Sequence, residues 1–75
     1  MDTSTLDSLR LAYKLATDQW VNAIRAEEAL ATADHSIVAW EHWDTAGFAE
    51  EDARAKAKAA RDAYKDGLRE ANLGF

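Results

Sequence analysis

Seventy-five residues with a formal charge of -5, no cysteine and no proline allow one small domain and exclude disulfides and thiolate zinc sites as its support. The acidic balance argues against direct binding to nucleic acid or to an anionic membrane, since both depend on an excess of Lys and Arg. Seventeen of the residues counted as hydrophobic are alanine, so the chain is rich in helix formers and poor in the bulk that builds a core.

The N-terminal stretch MDTSTLDSLR has neither the basic region nor the apolar run of a signal peptide, and no stretch of about 18 apolar residues occurs anywhere. A cytoplasmic protein without a membrane anchor is the expectation. The first predicted element is a helix over about residues 5–32, capped by Thr5 or Asp7. Its apolar positions Leu6, Leu9, Tyr13, Ala16, Trp20, Ala23, Ile24 and Leu30 recur at intervals of three and four, which is one helical face. Glu27 falls in phase with that face and is the polar residue out of place on it. Leu11 and Leu15 lie on a neighbouring face, so the first half of the helix is apolar over a wider arc than one partner helix covers.

Asp34, His35 and Ser36 then interrupt the pattern, and a turn at about residues 33–35 is predicted, with Asp34 or Ser36 capping the next helix. That second helix is predicted over about residues 36–71. Small residues recur every seven positions along it, at Ala39, Ala46, Ala53, Ala60 and Gly67, a spacing that lets a facing helix approach closely and supply the bulk. Asp44, Thr45 and Gly47 are suited to ending a helix, with Glu50, Glu51 and Asp52 opening a fresh one, so a break or kink near Gly47 is the alternative. The unbroken phase of the small residues favours a single helix. The fold expected is thus all-α: one domain over residues 1–75, an antiparallel helical hairpin that pairs into a four-helix bundle.

A turn near residue 34 would bring Trp20 level with Phe48 and near Trp43, an aromatic cluster in the middle of the hairpin. By the same count the stretch beyond about residue 64 overhangs the start of the first helix and lacks an internal partner. Leu11, Leu15, Trp40, Trp43, Leu68, Leu73 and Phe75 are therefore the candidate interface. Two aromatics at i, i+3, as in Trp40 and Trp43, more often anchor an interface or core than form a small-molecule platform.

The chemistry-bearing residues are sparse. Asp34, His35, Glu41, His42 and Asp44 are close in sequence, but His35 and His42 are seven residues apart, roughly 10 Å along a helix, and Glu41 points about 100° away from His42. No metal site and no cofactor are expected. There is no Gly-rich phosphate loop, no nucleophile elbow and no cysteine nucleophile, so no enzyme is expected either. The basic run Arg54, Lys56, Lys58, Arg61, Lys65 and Arg69 is interleaved with Glu50, Asp52, Asp62, Asp66 and Glu70, the pattern of a solvated face laced with i, i+4 pairs such as Glu50 with Arg54 and Asp52 with Lys56.

Residues 1–53 hold eleven acids against Arg10, Lys14 and Arg25. Two readings follow. The first is a non-enzymatic protein–protein interaction module that self-associates as a homodimer. The alternative is a small acidic inhibitor or adaptor that presents Asp18, Glu27, Glu28, Asp34, Glu41 and Asp44 to a larger, basic protein, such as one that binds nucleic acid.

Overall fold

The computed structural model describes residues 3–31 and 36–71. Two helices, α1 (Thr3–Ala29) and α2 (Ile37–Glu70), pack against each other as an antiparallel hairpin measuring 54 × 14 × 14 Å. The predicted turn and the candidate cap Asp34 lie outside the described residues. Among the described residues no helix is long and apolar enough to cross a membrane.

Helix α1 is already running at Thr3, so neither Thr5 nor Asp7 caps it. Asp7 sits one turn inside and faces Arg10 at 3.9 Å. The helix also ends earlier than predicted: Leu30 and Ala31 donate their amides to the carbonyls of Glu27 and Glu28, three residues back, at 3.1 and 3.0 Å. Such short-span bonds tighten a last turn and satisfy carbonyls that the helix would otherwise leave open. Hydroxyl residues inside the helices bond back one turn, Ser8 to Ser4, Thr17 to Tyr13 and Thr45 to Glu41, at 2.9 to 3.0 Å.

Ser36 caps α2. Its backbone is extended (φ -67°, ψ 158°) and its hydroxyl accepts the Ala39 amide at 3.1 Å, the geometry by which Ser satisfies one open donor of a first turn. The helix then runs without interruption through Asp44, Thr45 and Gly47. A Cβ on Gly47 would stand 3.5 Å from a carboxylate oxygen of Glu27, an ordinary contact with the end of one α1 side chain, and the helix accommodates the glycine without a break.

The seven-residue series of small side chains faces inward as expected. Ala39, Ala46, Ala53, Ala60 and Gly67 are half-buried or buried, with Ala57, Tyr64 and Leu68 on the same side. Opposite them lie Leu6, Leu9, Tyr13, Ala16, Trp20 and Ala23 of α1. Only Ala57 and Leu68 are buried apolar residues among those described, and no large side chain is fully enclosed.

The register differs from the expected one. Trp20 meets Glu50 and not Phe48: the indole Nε1 donates to Oε1 of Glu50 at 2.8 Å. Phe48 is 66% exposed, and no aromatic cluster locks the middle of the hairpin. Nine residues on from Trp20, α1 ends at Ala29, and nine residues back from Glu50 is Glu41. Ile37 to Trp40 therefore project past the last turn of α1, and Ile37 is 76% and Trp40 61% exposed. At the far end the same register sets Gly67 and Leu68 beneath the start of α1, and Leu68 is only 9% exposed. Among the described residues the overhang thus lies at the connected end and not over residues 65–70, because α1 stops earlier and starts earlier than its pattern suggested.

Candidate interaction surface

Among the described residues the most exposed large apolar side chains fall in two areas. On α1, Leu11 and Leu15 are exposed, about half a turn around the helix from the Leu9, Tyr13, Ala16 and Trp20 face that meets α2. They form a small patch on the outer side of the hairpin. On α2, the projecting first turns expose Ile37, Val38 and Trp40, and Phe48 continues the patch two turns on.

Between the end of α1 and this part of α2 runs a shallow groove of about 250 Å³. Trp40, Trp43 and Phe48 form its apolar wall, and Gly47 opens its floor. The two indoles meet edge to face, with centroids 5.8 Å apart and planes at 86°, an arrangement that fixes them as one aromatic block. Glu27, Asp44 and Glu51 line the rest. None of these three carboxylates takes part in an ion pair among the described residues. Glu27, in phase with the apolar face of α1, brings its carboxylate to the groove beside Gly47.

The candidate interface residues separate on this structure. Leu11, Leu15, Trp40 and Trp43 are on the surface. Leu68 is not: it is held between the helices, and the expectation that it lacks an internal partner is corrected by the register. Leu73 and Phe75 lie outside the described residues. Phe48 and Ile37 are the members that sequence reasoning missed. Their signal was present in the spacing Ile37, Trp40, Phe48, an apolar row at three and eight residues that runs down the flank of α2 beside the small-residue series.

The candidate acidic residues do not make one face. Glu27 and Asp44 share the groove, and Glu41 and Glu28 are exposed nearby. Asp18, nine residues from Glu27, is on the opposite side of α1 and is bound by Lys14 at 3.0 Å. His42 is exposed on α2, whereas Asp34 and His35 lie outside the described residues. Among the described residues no three His or carboxylate side chains converge as metal ligands would.

Most charges on α2 are satisfied along the helix. Arg54 faces Glu50 at 3.9 Å, Lys56 binds Asp52 at 3.0 Å, Arg61 lies 3.4 Å from Asp62, and Arg69 binds Asp66 at 2.6 Å. The two pairs expected from the i, i+4 spacing are both present. Exposed pairs of this kind contribute little to stability, about 0–1 kcal/mol each. Comparison with family models, with curated proteins and with solved structures gives no match.

Proposed function

We propose that this protein is a non-enzymatic interaction module whose hairpins associate with each other, two copies forming a four-helix bundle. The observation that supports the reading is an area. The chain exposes 5579 Å², whereas a compact monomer of 8.3 kDa exposes roughly 4600 Å². The surplus of about 1000 Å² is comparable to the roughly 800 Å² that each partner loses in a standard-sized interface. It is carried by a hairpin with almost no interior of its own, and association is what remains to a small domain without disulfides or thiolate metal sites.

Light scattering across a hundredfold concentration range, with helicity and melting followed on the same samples, tests this. Self-association predicts twice the chain mass at high concentration and a melting temperature that rises with concentration. A chain that stays monomeric, with a melting temperature independent of concentration, would overturn the reading and shift attention to a basic foreign partner for the acid-lined groove.

A further inference from the structure

Six charged residues of α2, Glu41, Asp44, Glu51, Lys58, Lys65 and Glu70, stand apart from the helix's own ion pairs among the described residues, and four of them form a regular series. Asp44, Glu51, Lys58 and Lys65 are spaced by seven residues, and none of them is engaged in an ion pair among the described residues. Seven-residue spacing keeps them in one row on the flank that also carries Trp40 and Phe48, with a drift of about 20° per heptad. The row spans roughly 31 Å of helix. Asp44, Glu51 and Lys58 are exposed and Lys65 is half-exposed, so the whole row is open to a partner.

The order of signs is acid, acid, base, base. Such a row is complementary to itself when reversed. We propose that this flank of α2 is the contact between two copies, and that the two α2 helices lie antiparallel across a two-fold axis passing between residues 54 and 55. Asp44 then meets the partner's Lys65, and Glu51 meets the partner's Lys58, each contact occurring twice as two-fold symmetry requires. A parallel alignment brings each charge against its own copy. That opposes like charges at all four positions, a cost that excludes wrong alignments more effectively than the right one is rewarded.

The apolar part of the flank fits the same arrangement. The aliphatic stems of lysine cover exposed apolar surface while their ammonium groups stay in water. The partner's lysines therefore lie over the half of the flank that exposes Trp40 and Phe48, and the indole faces attract the ammonium charge as well. Affinity comes from this burial, and direction comes from the charges. The drift of the row gives the two α2 helices a left-handed wrap, the geometry of paired helices in bundles.

This inference rests on the self-association proposed above, and the experiment separates the two. Light scattering first establishes whether the wild-type chain dimerises; if it does not, both proposals fall together. Given a dimer, Lys58→Glu sets like charges against Glu51 at two places and is expected to weaken association about tenfold at low salt. The double variant Glu51→Lys, Lys58→Glu restores complementarity and is expected to recover wild-type association.

Nitroxide labels on Ala55→Cys and Glu70→Cys, the only cysteines in their chains, provide a measure that does not depend on affinity. The antiparallel arrangement predicts a close pair at position 55 and labels about 45 Å apart along the axis at position 70. A dimer indifferent to Lys58→Glu, or one with equally short separations at both labels, would overturn the antiparallel flank while leaving self-association standing.

Discussion

Trp20 of α1 and Glu50 of α2 join the two helices through a hydrogen bond of 2.8 Å, at a site where Glu50 is also approached by Arg54 at 3.9 Å. The indole N–H has only donor capacity, so the carboxylate answers a need that an alanine seam cannot. Glu50→Ala removes the acceptor and leaves a partly buried donor unpaired, which costs about 1–2 kcal/mol. Glu50→Gln keeps an acceptor oxygen and should retain at least half of that stability. Urea unfolding followed by circular dichroism gives both values; equal losses in the two variants would mean that charge, and not the hydrogen bond, matters at this site.

Gly47 sits inside a continuous helix with room for a methyl group, since the nearest atom to a Cβ there is 3.5 Å away at the end of the Glu27 side chain. Glycine in mid-helix is less favourable than alanine by about 0.5–1 kcal/mol. Gly47→Ala should therefore stabilise the hairpin and raise its melting temperature by roughly 4–8 °C per kcal/mol gained. A lower melting temperature would show that the backbones must approach more closely at this point.

Ala57 is 3% exposed, buried between the two helices. Replacing it with leucine forces bulk between the helices and should cost about 1–3 kcal/mol. Ala59→Leu, on the exposed side of the same turn, is the control and should stay within about 0.5 kcal/mol of wild type. Thermal unfolding of the pair distinguishes a seam that requires small residues from a helix that merely prefers alanine.

Leu68 distinguishes internal packing from association. Buried beneath the start of α1, it should cost at least about 2 kcal/mol when cut to alanine, and that loss should be the same at every protein concentration. A loss that disappears on dilution would place Leu68 in a contact between copies. Trp40→Ser and Phe48→Ser are expected to behave in the opposite way, sparing the dilute hairpin and flattening the rise of melting temperature with concentration.

The helical hairpin was legible because alanine content, the absence of proline and the period of the apolar residues all point the same way. The inward series from Ala39 to Gly67 and the Ser36 cap were readable for the same reason: each depends only on neighbours along one helix. Register was not readable. It depends on where α1 stops, and that is decided by the short-span bonds of Leu30 and Ala31, which no periodicity reports. A shift of two residues moved Trp20 from Phe48 to Glu50, turned Phe48 outward and drew Leu68 under cover. The row Asp44, Glu51, Lys58 and Lys65 was visible as spacing, but its meaning required knowing which other charges are already matched on their own helix.

A seam whose small residues repeat at every seventh position looks the same after one helix slides by a heptad. Alanine against leucine would fit nearly as well two turns up or two turns down, and burial alone gives little preference among these alignments. What distinguishes them is polar. A slide of seven residues takes Trp20 from Glu50 to either Trp43 or Ala57, neither of which can accept its N–H. Glu50 thus acts as a key in an otherwise repetitive lock, much as a single buried asparagine sets alignment in a coiled coil. The folded shape of this chain is selected less by what it buries than by the few places where a wrong alignment leaves something unanswered.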